Sequence, residues 1–423
     1  MAKFRYRPKR QKGQSRQSGQ FGQSRKSRNS KNKLLMGIIA ACALGIVVTV
    51  SVFAVVMSSI SQFEEVQYVA APSPTPRPTP RPTPSPTPTP EPTPDPMLGM
   101  VLSPLTGMPI LEEREFVRPV AVVINNHSRA LPQSGIAAAN IIYEVLAEGN
   151  ITRLVAIFHE YMPERVGPVR STRDYFVDFA LNSDAIFVHH GGSPSGYARL
   201  RNLGIDNFDG MALEGTMFWR DPTRRAQSGM FEHSSYTGGA ELMAAMERRN
   251  TRATRLEDDN IGFNFNEMGL SFEALAMATG GEYRVANEFV VPFSVGYPRT
   301  FRYDETTETF FVYNVHGPHI DEDADVQIEV ANVLVQLVNL RTVPGDGEGR
   351  REVTTTGSGN GYLATLGGIV NVRWERDSLS TPTRWYFMNG SPLQLSPGKI
   401  WICVLQNTAE VLIIEENVEE DEN

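Results

Sequence analysis

Val117-Arg-Pro-Val-Ala-Val-Val-Ile-Asn125 is a run of mostly β-branched residues that ends in the polar loop Asn125-Asn126-His127-Ser128-Arg129. A short apolar run bounded by turn residues reads as a strand buried on both faces. Downstream, Asn140-Ile-Ile-Tyr-Glu-Val-Leu146 and Ile151-Thr-Arg-Leu-Val-Ala-Ile-Phe158 flank Glu148-Gly149-Asn150. Two β-rich runs around a short Gly-Asn loop predict a hairpin. Thr172–Asn182 is expected to be helical and Asp184–His189 to be a further strand, with helices again near Ser195–Leu203 and Gly239–Arg249. Residues 98–281 are therefore expected to form a mixed α/β domain. From Tyr283 the pattern changes to short β-rich runs between Gly, Pro and Asp turns: Phe289–Phe293, Phe310–Val315, Val326–Leu340, Tyr362–Trp374, Trp385–Met388 and Lys399–Leu405. That spacing predicts a smaller, mainly β domain over 282–415. The expected class is α+β.

The first hundred residues have no globular pattern. Met1–Lys33 carries twelve of the chain's 40 Lys and Arg residues and no acid, and is expected to be a disordered cytoplasmic tail. Leu34–Met57 carries no charge and is rich in Ile, Val, Ala and Leu. About 20 apolar residues cross a bilayer as a helix, so residues 34–57 are expected to form one transmembrane helix. Basic residues flank only its N-terminal side, which puts the N-terminus in the cytoplasm and everything after residue 57 outside. Ile39-Ala-Ala-Cys42 matches a lipoprotein cleavage box, which makes Cys42 a lipidation candidate. The residues after Cys42 stay apolar for another fifteen positions, however, which favours an uncleaved span. Residues 58–97 form the linker. Its Pro72–Pro96 part has proline at every second position, cannot make helix or sheet ladders, and at ~3.1 Å per residue would reach roughly 70–80 Å as polyproline II.

Beyond Lys33 the balance is 28 Lys and Arg residues against all 48 Asp and Glu, and residues 416–423 form an acidic tail. Such a body is a poor partner for nucleic acid. Lys399 is the only lysine after Lys33, so nearly every cation of the folded part is an arginine, suited to bidentate grips on carboxylate or phosphate. With Cys42 in the apolar run and Cys403 in a predicted strand, no disulfide forms within the folded part, and the core alone must hold it.

The chemistry concentrates in Glu164-Arg-Val-Gly-Pro-Val-Arg-Ser-Thr-Arg-Asp174. Gly167-Pro168 breaks the chain, and Ser171 with Asp174 three residues on resembles a capping box. A helix beginning at Thr172 would carry Arg170 and Arg173 at its N-terminus, where positive charge opposes the helix dipole. Free N–H groups and guanidiniums there would make an anion site. Ordinary ion pairs to Glu144, Asp174 or Asp178 would explain the same arginines.

Taken together, Arg118-Pro-Val-Ala-Val-Val-Ile-Asn-Asn-His127, Pro132-Gln-Ser-Gly135, Ile142-Tyr-Glu-Val145, Gly149-Asn-Ile-Thr-Arg153, Gly167-Pro-Val-Arg-Ser-Thr-Arg173 and His233-Ser-Ser-Tyr236 resemble the YerB-like lipoprotein family. So do Gly357-Ser-Gly-Asn-Gly-Tyr362, Val372-Arg-Trp374 and Leu395-Ser-Pro-Gly-Lys-Ile-Trp-Ile402. The resemblance covers nearly all of the folded part. It implies a Gram-positive extracytoplasmic protein of two domains and brings no assigned reaction. In arrangement only, strand, hairpin and arginine-bearing turn are similar to the LytR-CpsA-Psr envelope phosphotransferases; no residue is carried over from them.

The remaining motifs carry less. His189 and His190 are adjacent on a strand, so they point to opposite faces and cannot readily share a metal. His233 follows Glu232 in a Ser-rich loop. His316-Gly-Pro-His319 with Asp321, Asp323 and Asp325 lacks the glycine and the bidentate acid of a calcium loop and reads as a solvated turn. Gly357-Ser-Gly-Asn-Gly361 lies between β-rich runs with no helix after it, so it reads as a hairpin and not a phosphate loop. No cofactor and no metal site is expected. The functional expectation is a membrane-anchored envelope protein, in contact with the bilayer through its span, that binds an anionic ligand or cell-wall partner through Arg153, Arg170, Ser171 and Arg173, with Glu144, His190 and His233 nearby. The alternative is an enzyme on a phosphorylated or glycan envelope substrate, with Glu144, Asp178 or His190 as acid/base groups.

Overall fold

The computed structural model describes residues 97–255, 261–266, 275, 277, 279 and 283–415. The tail 1–33, the span expected at 34–57 with Cys42, the linker as far as residue 96 and the acidic tail 416–423 lie outside the described residues. Among the described residues no helix is long and apolar enough to cross a membrane.

The strands, in chain order, begin with the hairpin β1 (Met100–Leu102) and β2 (Pro109–Leu111). Next come β3 (Val120–Asn125), β4 (Ile141–Leu146), β5 (Thr152–Phe158), β6 (Ile186–His189) and β7 (Asn207–Asp209). After a helical stretch follow β8 (Arg284–Val285), β9 (Glu288–Pro292), β10 (Pro298–Asp304), β11 (Thr309–Asn314) and β12 (Asn332–Val338). The chain closes with β13 (Gly357–Thr365), β14 (Gly368–Arg376), β15 (Arg384–Phe387), β16 (Ile400–Gln406) and β17 (Leu412–Ile414). The main helices are α1 (Asp174–Leu181), α2 (Pro194–Leu203), α3 (Pro222–Ser228) and α4 (Gly239–Arg249). The mixed α+β class holds.

One eleven-stranded sheet organises the molecule, in the order β8-β14-β13-β12-β16-β4-β5-β3-β6-β7 with β15 beside β14. The β4–β5 hairpin forms as expected, antiparallel from Ile141↔Ile157 to Leu146↔Thr152. The change of pattern near residue 281 does not interrupt this sheet. β16 lies parallel to β12 on one side and to β4 on the other, with Ile400↔Ile141 and Val404↔Val145 in register. A second sheet is built on β11-β10-β9-β17.

Both faces of the central strands are covered, which is why they read as unbroken apolar runs and not as alternating ones. Ala121, Val123, Tyr143 and Ile402 face a core shared with Tyr175, Phe176 and Phe179 of α1. Val122, Ile124, Leu154 and Trp401 face the opposite core, shared with Phe289, Phe301 and Phe310 of the second sheet and Leu242 of α4. Cys403 sits fully buried in β16, and burial pushes its thiol well above the usual range.

Two sequence expectations change in detail. The glycines of 357–361 lie within β13 of a hairpin, as read, and at Gly359 and Gly361 the neighbouring strands approach closely. A Cβ on Gly361 would stand 2.2 Å from the Val335 carbonyl oxygen of the neighbouring strand. The turn after Asp321 is solvated at 323–326, as read, but Asp321 itself is not. Asp321 is 1% exposed, one carboxylate oxygen accepts from the Ala137 N–H at 2.8 Å, and the other caps Asp323 N at 3.0 Å. No metal-binding group of His, Cys, Asp and Glu occurs among the described residues.

Candidate anion site

β3 runs parallel to β6, and β6 parallel to β7, so Asn125, His189 and Asp209 end their strands on one edge of the sheet. Sites in open α/β sheets form outside such carboxyl ends. Residues 166–172 thread across this edge in extended form. Asn125 N donates to Pro168 O, Arg170 N to Val123 O, His190 N to Arg170 O and Thr172 N to Gly191 O, all between 2.8 and 3.0 Å. The backbone under Arg170 is thus pinned to the ends of two strands.

The helix begins two residues later than expected, at Asp174, with Arg173 as its N-cap and no side-chain cap. The anticipated capping box does not form, because the Ser171 hydroxyl donates to His190 O at 3.0 Å. The carboxylate that meets the arginines is Glu148, from the β4–β5 turn. It accepts from Arg153 Nη2 at 3.1 Å and from Arg173 Nε. Burial pulls the Glu148 carboxyl upward, but the Arg173 hydrogen bond and the charges of Arg153 and Arg173 outweigh it and hold it below the usual range. Arg153 also donates from Nη1 to Ser171 O at 3.0 Å. Burial and the Arg173 charge press against the protonated form of Arg153.

Arg170 is different. It is half-buried, and its guanidinium makes no hydrogen bond and no ion pair within hydrogen-bonding reach among the described residues. Burial disfavours its charge; Glu232 acts in its favour, and Arg173 and Arg220 act against it. Three guanidiniums thus share Glu148 and the more distant Glu232.

Imidazoles complete the site. The ring centroids of His127 and His233 lie 4.8 Å apart. His233 Nδ1 stands 2.8 Å from Asn125 Nδ2, and His127 Nδ1 accepts from the Arg129 backbone N–H at 3.0 Å. An amide nitrogen can only donate, so both Nδ1 atoms are acceptors and each neutral ring carries its proton on Nε2. Burial, His127 and Arg170 lower His233 to about 4, and burial, Arg129 and Arg170 lower His127. The pair therefore presents uncharged N–H donors at neutral pH. His190 is committed to other partners. Arg220 Nη2 donates to its Nε2 at 2.8 Å, so its proton sits on Nδ1 and is directed at Ser235 Oγ, 2.8 Å away. In that tautomer His190 cannot take a proton from Ser235. Gly210 permits the packing, since a Cβ there would stand 2.2 Å from His190 Nδ1.

The structure thus brings together Arg153, Arg170, Ser171, Arg173, His190 and His233. It separates Glu144 and Asp178 from them. Glu144 is held in the core by Arg299, Thr152 and Trp401. Asp178 is 1% exposed, accepts from Thr355 Oγ1 at 2.7 Å, and burial raises its carboxyl. Neither Glu144, Asp174 nor Asp178 pairs with Arg170 or Arg173; Asp174 and Asp178 face Arg199. His127, Glu148 and Arg220 were not singled out as site residues. His127 and Glu148 stand in the two polar turns that close β3 and β4, a signal that was legible; Arg220 had none.

Residues 105–252 match the N-terminal domain model of the family described as protein of unknown function DUF3048, and residues 289–402 match its C-terminal domain. The chain is 32% identical over 306 residues to YerB of Bacillus subtilis (strain 168), provisionally named a lipoprotein, covering 72% of this chain and 86% of that one. The crystal structure of YerB protein from Bacillus subtilis matches with a TM-score of 0.62 at 29% identity, covering 74% of this chain and 99% of that one.

Proposed function

This chain belongs to the DUF3048 family together with YerB, and we propose that it is a membrane-anchored, extracytoplasmic protein that binds an anionic ligand of the cell envelope at Arg170. The observation that carries the reading is the half-buried Arg170 guanidinium without a partner, on a backbone fixed by the ends of β3 and β6. A half-buried cation with no protein partner among the described residues has lost part of its hydration and keeps its donors free for an anion. Neutral N–H donors on His127 and His233 would add directional contacts without a counter-charge. The enzyme reading has less support, because Glu144, Asp178 and His190 are each committed to other partners.

Calorimetric titration of the full chain with inorganic pyrophosphate, inorganic phosphate and acetate tests the site. Pyrophosphate is expected to bind, with affinity falling as salt rises, and Arg170→Ala is expected to weaken it at least tenfold. Equal binding by wild type and Arg170→Ala would sink the proposal. The anchor is tested separately by the mass of the protein in the membrane fraction: an uncleaved span at 34–57 keeps residues 1–41, whereas a lipoprotein starts at a lipidated Cys42.

A further inference from the structure

The second sheet ends on an open edge. β17 pairs with β9 on one side, Leu412↔Val290 and Ile414↔Glu288, and among the described residues no strand lies beyond it. Tyr303 N donates to Asn287 O, so residues 287, 289 and 291 of this segment bond toward β10, and residues 288 and 290 toward β17. Leu412 and Ile414 therefore direct their backbone groups to β9, while the N–H and C=O of Ile413 point away from the sheet. The Ile413 side chain packs toward the core, whereas Leu412 and Ile414 are 53% and 46% exposed on the outer face. Edges of this kind are ordinarily guarded by lysine, proline, a bulge or a covering segment. β17 has neither lysine nor proline, and its outward side chains are Leu and Ile. Carboxylates bracket it instead: Glu410 and Glu415 are exposed, and neither forms an ion pair among the described residues. The chain then runs on into the acidic residues 416–423. Glu288, opposite Ile414, is already balanced by Arg302 at 2.9 Å.

We propose that β17 is a docking edge for an extended, basic peptide segment of a partner protein, which joins the second sheet as a further strand. The Ile413 N–H and C=O supply main-chain bonds, and Leu412 and Ile414 supply apolar contacts at alternate positions. Glu410 and Glu415 select Lys or Arg at the two ends of the segment. A second copy of this chain fits worse, because two β17 strands crossing antiparallel bring Glu410 of one toward Glu415 of the other. The edge shares no residue with the Arg170 site and does not depend on it.

The test titrates the full chain calorimetrically with a capped peptide of alternating Val and Thr that carries Arg at both ends. One comparison peptide carries Glu at both ends; another keeps the Arg ends but is N-methylated at alternate residues, so that it cannot donate to a strand. The Arg-ended peptide is expected to bind saturably, and both comparison peptides at least tenfold more weakly. Leu412→Asp, at an exposed position, is expected to lower its affinity at least tenfold. Glu410→Arg combined with Glu415→Arg is expected to cut the preference for Arg ends severalfold. Equal binding of Arg-ended and Glu-ended peptides, or of plain and N-methylated ones, overturns the proposal. So does an unchanged preference in the double variant. A dimer of the full chain that Leu412→Asp dissolves would put a second copy on the edge and overturn it as well.

Discussion

Arg299 grips Glu144 through two hydrogen bonds of 2.8 Å, Nε to one carboxylate oxygen and Nη2 to the other, where neither side chain is more than 2% exposed. Residues 155 positions apart thus meet inside the core. The pair is not isolated. Thr152 Oγ1 and Trp401 Nε1 also donate to Glu144, and Arg299 Nη1 donates to His319 Nδ1 at 3.0 Å. His319 Nε2 then meets Gln133 Oε1 at 2.7 Å, and Gln133 Nε2 donates to Asn125 O. This chain of buried bonds ends at the residue that orients His233.

Breaking one side of the pair leaves the other charge buried without compensation. Glu144→Leu or Arg299→Met alone is expected to cost about 3–5 kcal/mol, whereas the double replacement recovers most of it. Urea unfolding of the three variants checks the asymmetry; equal losses in singles and double would contradict it.

Glu148 offsets two of the three arginines at the candidate site. Glu148→Gln is expected to raise affinity for pyrophosphate while lowering thermal stability, the opposite pairing to a simple loss of structure. The gain should shrink as ionic strength rises toward about 0.15 M, where screening length falls to ~8 Å. Titrations at two salt concentrations measure both effects.

His190 and His233 each titrate near 4 in the folded chain, against an ordinary value of 6.5; burial is the first cause for both, with Arg220 next for His190 and His127 and Arg170 next for His233. Between those values the unfolded chain binds more protons than the folded one. Their contribution is therefore fully present above pH 6.5, is lost as pH falls toward 4, and changes little below that. Denaturation midpoints from pH 7 to 4 should decline, and His233→Gln should decline less steeply. A parallel slope in the variant would remove His233 from the account.

Gly361 is needed for strand approach and not for ligand. With 2.2 Å available to a Cβ, Gly361→Ala is expected to destabilise by roughly 1–3 kcal/mol through forced backbone shift. Pyrophosphate affinity should stay at the wild-type value, which calorimetry on the folded variant would show.

Much of the local structure was legible in residue order. β3, the β4–β5 hairpin, α1, β6, α2 and α4 follow from apolar period, turn residues and caps, which are properties of neighbours along the chain. The clustering of arginines at 153, 170 and 173 was visible for the same reason. Their electrostatic partners were not. Glu144 and Glu148 lie four residues apart in one hairpin, yet one is locked to Arg299 in the core and the other faces Arg153 and Arg173 in the partly buried site at the strand ends. Side-chain period and strand pleat distinguish a face, but not which distant segment covers it.

The sequence by itself determined the elements, the acidic and disulfide-free character of the body, and the concentration of arginine around 153–173. Tertiary structure alone decided that β16 enters between β12 and β4, making one sheet of two differently patterned halves. It also decided which cations are neutralised and that Arg170 is left over. The reason is physical: strand pairing and ion pairing are set by contacts between residues far apart in the chain, and those contacts form only when burial of both sheet faces fixes the register.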